Sequence, residues 1–173
     1  MKTAFAAVAA TILLTACETV PTDTPLVASA ALQPTKGSKT FGEATFEQVG
    51  DKVLVVAFLQ NLKPGQEHGF HIHEVGDCSS GDGMSTKGHF NPFNKPHAHY
   101  GSAERHAGDL PNLKADKKGF ANIRIELDQI TLRPGPGNIV GRGVIVHTDP
   151  DDYKSQPTGN AGARIACGVI QLH

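Results

Sequence analysis

The chain has 173 residues, enough for one domain with a substantial core. Its net charge of −1 and near-neutral balance exclude a bulk nucleic-acid binder, which needs a basic face. Gly (19) and Pro (11) are plentiful, Trp is absent, and nine histidines are the first compositional hint of metal.

The opening stretch, MKTAFAAVAATILLTAC, reads as an export segment outside the fold. Lys2 gives a positive start, and Ala4 to Leu14 form an apolar run too short to span a bilayer. An ordinary cleaved signal would leave Cys17 incidental. Leu14-Thr15-Ala16-Cys17 also resembles the bacterial lipoprotein cleavage box, which implies a signal peptide over residues 1–16 and lipid on Cys17. Glu18 in the next place, by the same resemblance, favours the outer membrane. Residues 18–25, ETVPTDTP, form a polar tether. The expected location is the periplasm, with the chain anchored in the cell envelope by that lipid.

From residue 26 the apolar runs are short and separated by Gly, Pro and Asn, with no helical period. Strands are expected at 26–32, 40–48, 52–60, 68–74, 119–127, 138–147 and 164–172. FANIRIEL alternates cleanly, with Ala121, Ile123, Ile125 and Leu127 on one side and Phe120, Asn122, Arg124 and Glu126 on the other. VGDKV and LKPGQE read as turns. This rhythm predicts an all-β sandwich or barrel. Two stretches break it, 75–112 and 148–163, and loops of that length in a compact domain are usually functional or disordered.

The histidines fall on these elements unevenly. His71 and His73, in GFHIHEVGDC, sit on the same face of a strand, with Ile72 turned away. Such a pair can be a metal site or an accident. His89, His97, His106 and Asp109 share the first long loop, and His147 ends the strand GVIVH. Imidazole suits copper and zinc, and a carboxylate among imidazoles suits zinc. His99 makes a second HxH with His97, but a loop lacks strand geometry, and His173 has no case as a ligand. The three cysteines are an odd number for an exported chain. With Cys17 lipidated, Cys78 and Cys167 are left, as a bridge or as two buried thiols.

GFHIHEVGDC (69–78), KGHFNP (87–92), RHAGDLPN (105–112), GRGVIVH (141–147) and TGNAGARIACGVI (158–170) together resemble the copper–zinc superoxide dismutases of the bacterial exported type. The resemblance runs from about Leu26 to the C-terminus, so residues 26–173 are expected to form that domain. It implies a Greek-key β-sandwich or barrel of about eight antiparallel strands with two long functional loops. It implies a copper ion on His71, His73, His89 and His147, and a zinc ion on His89, His97, His106 and Asp109. His89 would bridge the two as an imidazolate. Asp151 would link His71 to His97 from outside the metal shell, and Arg164 would receive the anionic substrate, superoxide. Cys78 and Cys167 would be the disulfide. It closes a loop of about 90 residues, worth about 4–5 kcal/mol of chain entropy.

The implied reaction converts superoxide to O2 and H2O2, with His89 and Arg164 as the catalytic residues and the cell envelope as the place protected. With overall charge near zero, steering of substrate must be local, from Arg164 with Lys154 and Lys87. Two rivals stay open: a non-enzymatic copper carrier, disfavoured because Met84 is the only methionine beyond Met1, and a copper-only relative, disfavoured by the complete second set. The chain carries no feature that selects a monomer over the homodimer that the family allows.

Overall fold

The computed structural model describes residues 25–173; the export segment, Cys17 and the tether up to residue 24 lie outside the described residues. Among the described residues the regular structure is β1 (Val27–Pro34), β2 (Phe41–Val49), β3 (Lys52–Gln60), β4 (Glu67–His68), β5 (Phe70–His73), β6 (Leu113–Lys114), β7 (Ala121–Leu127), β8 (Gly143–His147), β9 (Arg164–Val169) and β10 (Gln171–Leu172). A single 3-10 turn covers Met84–Thr86. Pairing between strands is antiparallel throughout, in the order β5-β8-β9-β1-β2-β3-β7, with β10 also on β1 and β4 on β6. β4 and β5 are one strand line broken at Gly69, and β9 and β10 another broken at Ile170, so the ten pieces form eight lines. After β3 the chain crosses to the far edge to form β4 and β5, and after β7 it crosses back to β8, which is Greek-key connectivity.

Alternation puts one face of each strand inside. On β7, Ala121 and Leu127 are buried while Asn122, Arg124 and Glu126 are exposed. Leu32, Phe46, Leu59, Phe70, Ile72, Val144 and Val146 meet in one core cluster, each side chain contributing about 1.5–3 kcal/mol by leaving water. The strand expected over 138–147 begins only at Gly143. Asn138 to Arg142 turn instead, with the Arg142 N–H donating to the Ile139 carbonyl and Gly141 at φ 79°. Residues 119–120 likewise close the turn before β7. The two-residue β6 was not expected, since Leu113 and Lys114 carry no readable period.

The position of the first long loop follows from an edge. β5 pairs with β8 on one side only, and an open edge leaves backbone groups without partners. The loop covers it. Ile72 N–H donates to the Gly108 carbonyl at 3.0 Å, and Phe90 N–H donates to the Ile72 carbonyl at 2.8 Å. His73 thereby lies opposite His89, and His71 opposite Asp109. A side chain at Gly108 would collide with the Ile72 carbonyl, so only glycine permits this approach.

Candidate metal centre

Three elements and two loops deliver the buried polar residues to one place. His71 and His73 point off β5 away from the core, with Phe70 and Ile72 on the core side. His147 ends β8 at a β-bulge and stands opposite Arg164, the first residue of β9, where such a bulge re-aims the side chain. The edge-covering loop brings His89, His97, His106 and Asp109. All seven are at most 6% exposed.

The ring nitrogens sort themselves. His71 Nε2 is 2.8 Å from Asp151 Oδ2, His73 Nδ1 is 2.8 Å from the Lys87 carbonyl, and His147 Nδ1 is 3.1 Å from the Gly162 carbonyl. The other nitrogen of each, His71 Nδ1, His73 Nε2 and His147 Nε2, is buried without a hydrogen-bond partner, as is His89 Nε2. Buried polar atoms are nearly always paired, so four orphans together need an occupant. One donor atom from each of these four residues lies within 4.8 Å of the others.

The second set has a different chemistry. His89 Nδ1 and His97 Nδ1 are each 2.9 Å from Asp109 Oδ1, and His106 Nδ1 is 3.4 Å from the same oxygen without hydrogen-bond geometry. These four residues also offer donors within 4.8 Å of one another. His89 thus presents Nε2 to the first set and Nδ1 to the second. Asp151 ties the sets from behind, with Oδ2 on His71 Nε2 and Oδ1 on His97 Nε2 at 2.9 Å. Four nitrogens suit copper, and three nitrogens with a carboxylate suit zinc, so the residues present fit both ions.

Burial pushes His71 and His73 down, with the neighbouring His89 as the next cause. Burial also lowers His89 against the pull of Asp109, and takes His147 to about 4. The nitrogen set is therefore neutral at pH 7, as ligands must be. His97 goes the other way. Burial opposes its charge, but carboxylates on both ring nitrogens raise it to about 9. Burial alone would raise Asp109 and Asp151, yet their histidine partners hold both well below the ordinary carboxylate range.

Arg164 stands beside the first set, close enough for its charge to help depress His73 and His147. Its Nη1 donates to the Gly83 carbonyl (2.6 Å) and Thr86 Oγ1 (2.8 Å), and its Nη2 donates to the Lys87 carbonyl (2.6 Å). Half-buried and fixed by three acceptors, it is a rigid cation. The Cys78–Cys167 disulfide ties this loop to β9, with Cα atoms 5.9 Å apart. His99 stays out: it is exposed, tilted against Tyr100 and edge-on to Tyr153, with ring centroids 4.1 and 4.7 Å away. His68 is buried with Nδ1 on the His147 carbonyl at 2.8 Å, a packing role. The sequence did not single out Thr86, Asn112, Gln156 or Gly159, which hold the site from the loops. Uncharged residues in aperiodic segments carry no signal that would have found them.

A Greek-key barrel with two buried donor sets sharing one imidazole on a covered edge defines a dinuclear metalloprotein. Residues 40–170 match the family described as copper/zinc superoxide dismutase (SODC). Copper–zinc superoxide dismutase 1 of Aquifex aeolicus (strain VF5) is 44% identical over 140 residues, 79% of this chain and 82% of its own length. Copper–zinc superoxide dismutase 2 of the same organism is 41% identical over 150 residues, 84% and 87% of the two chains. Copper–zinc superoxide dismutase 2 of Brassica juncea is 46% identical over 150 residues, 83% and 95%. A crystal structure of the clock protein EA4 superposes with a TM-score of 0.78 at 44% identity, covering 87% of this chain and 96% of that one. The chain belongs to the copper/zinc superoxide dismutase family; its reaction is superoxide dismutation and its metals are copper and zinc.

Proposed function

We propose that His71 Nδ1, His73 Nε2, His89 Nε2 and His147 Nε2 hold copper, and that His89 Nδ1, His97 Nδ1, His106 Nδ1 and Asp109 Oδ1 hold zinc. The observation that carries this reading is His89, whose two nitrogens face two different donor sets. Copper, when bound, supplies one-electron exchange in two half-reactions, so that two superoxide anions and two protons become O2 and H2O2, while redox-inert zinc supplies charge. Arg164 attracts and orients the anion in both halves, its guanidinium held in place by Gly83, Thr86 and Lys87. His89 takes up a proton at Nε2 in the reductive half and gives it to the peroxide in the oxidative half. Its Nδ1, fixed on the zinc side, keeps the ring from turning away. Asp151 orients His71 and His97 through opposite oxygens.

Metal content measured on purified protein, with a superoxide assay, tests the assignment. The expected result is equal copper and zinc with activity, and loss of both activity and zinc in His106→Ala. Copper with full activity in that variant would favour a copper-only site and overturn the zinc assignment. A carrier role is disfavoured because Met84 is the only methionine beyond Met1, and Cys78 and Cys167 are in a disulfide.

Export and lipidation of Cys17 complete the reading, with residues 18–25 as tether and the outer membrane as anchor. The LTAC box supports it, and so does the disulfide, which persists in oxidising compartments. Membrane fractionation of Cys17→Ser is the test; a variant that still partitions with membranes sinks the anchor.

A further inference from the structure

Among the described residues, the hydrogen bond between the His97 ring and the Asp151 carboxylate is the one side-chain-to-side-chain bond from the proposed zinc set to the second loop, and its two ends are gripped in a reciprocal way. Asn112, at the end of the first loop, holds the backbone of Asp151: its Oδ1 accepts from Asp151 N–H at 2.9 Å and its Nδ2 donates to the Asp151 carbonyl at 3.0 Å. Gln156, in the second loop, holds the backbone of His97 in the same manner. Its Oε1 accepts from His97 N–H at 2.9 Å and its Nε2 donates to the His97 carbonyl at 2.8 Å. Each loop lends a side-chain amide to the backbone of the residue the other loop contributes.

The grip is specific in chemistry. A side-chain amide has one acceptor and one donor group, which match one backbone N–H and one C=O. Among the described residues, neither backbone group of His97 has another partner. His97 is therefore held at three points by the second loop, twice at the backbone by Gln156 and once at ring Nε2 by Asp151. Those three contacts set where Nδ1 points, toward the second donor set.

We propose that Gln156 is a positioning residue for the zinc site, acting through the backbone of His97, so that retention of zinc depends on closure of the 148–163 loop. The inference rests on the reading of His97 as a zinc donor. Side chains that orient ligands from outside the coordination shell typically alter metal affinity by ~10–100-fold. Gln156 lies at the surface, where water competes for its partners, so the lower end of that range is expected here.

The experiment compares full-length holoprotein of the wild type, Gln156→Ala, Gln156→Glu and His97→Ala. The glutamate keeps an acceptor for His97 N–H and sets a second oxygen against the His97 carbonyl. Zinc release is followed with a chromophoric chelator, the geometry of the set by the visible spectrum of cobalt(II) placed in it, copper retention by metal analysis, and global stability by thermal unfolding of the metal-free protein. The expected result is zinc release about 10-fold faster in both Gln156 variants, an altered cobalt(II) spectrum, copper retained, and an unfolding midpoint of the metal-free protein close to wild type. Release and spectrum unchanged in the Gln156 variants, with zinc lost in His97→Ala, overturns this inference alone. Copper and zinc loosened equally together with a lower metal-free midpoint shows a merely structural role and also overturns it. Zinc fully retained in His97→Ala overturns the underlying assignment of His97.

Discussion

Lys87 offers the sharpest test of how the rim of the first donor set is built. Its backbone sits at φ 61°, ψ −142°, a region that side-chain-bearing residues rarely enter. The strain has a visible use: the Lys87 carbonyl accepts from both His73 Nδ1 and Arg164 Nη2. Holding a non-glycine residue there costs about 1–3 kcal/mol. Lys87→Gly removes that cost but frees the unfolded chain, which opposes by about 0.4–1 kcal/mol. The net expectation is a gain of about 1 kcal/mol, or a rise of about 2–4 °C in Tm for a domain of this size. Urea unfolding of the metal-free, disulfide-intact protein at pH 7 reads it directly. Lys87→Ala is the control, since it deletes the same exposed ammonium while keeping the Cβ, and it should show no gain. In both variants superoxide turnover falls and its decline with rising salt becomes shallower, because one cation has left the rim. A lower urea midpoint in Lys87→Gly, or equal midpoints in the two variants, would refute the strain argument.

In the metal-free protein, stability should peak between pH 6.5 and 7. Histidines whose folded pKa is depressed, His147 to about 4 and His71, His73 and His89 in the same direction, contribute stability that is lost as pH falls from 6.5 toward 4. His97, raised to about 9, contributes stability present below 6.5 and lost as pH rises through 9; denaturant midpoints that are flat from pH 4 to 9 would contradict both. Gly159→Ala should lower stability by about 1–3 kcal/mol and loosen zinc, because its Cβ would overlap the Asp151 carboxylate and approach His97 Nε2 within 2.7 Å at a φ of 67°; calorimetry and zinc retention check it. Cys78→Ser with Cys167→Ser should cost about 4–5 kcal/mol by the loop-entropy relation, given a sequence separation of 89, and should release the loop that seats Arg164, seen as a lower urea midpoint with a larger loss of turnover.

Where the sequence spoke, it did so through period and through ligand chemistry. β7 was legible because Ala121 to Leu127 alternate, and His71 and His73 because one intervening residue on a strand puts both on one face. His89, His97, His106 and Asp109 were recognisable as candidate donors, but no period says how a loop will fold. Their placement comes from the unfilled edge of β5 and from Gly108, whose missing side chain lets the loop approach. The boundary errors share a cause. Asn138 to Arg142 have strand-like composition, yet Gly141 at positive φ and the Arg142 hydrogen bond to Ile139 turn the chain. Thr86, Asn112, Gln156 and Gly159 act by meeting particular backbone atoms of distant residues, which exists only once the loops are closed.

The site is a poor investment for stability taken alone, and that is itself informative. Five buried ring nitrogens of the two donor sets, on His71, His73, His89, His106 and His147, have no hydrogen-bond partner among the described residues. A buried polar atom needs a partner, whereas an apolar side chain in the same place needs none. The second set adds an opposite defect, since Asp109 faces three imidazoles through a single oxygen while its other oxygen accepts from the Ala98 and His106 N–H groups. A barrel selected only to fold would place apolar side chains on this edge. The rigidity that tolerates the cost comes from the paired strands under His71, His73 and His147 and from the disulfide that fixes the loop above them. Under the proposed assignment, copper and zinc would give these nitrogens their partners, with His89 serving both donor sets. Zinc and copper binding should therefore raise the unfolding midpoint, which calorimetry of the metal-free and metal-loaded protein reads directly.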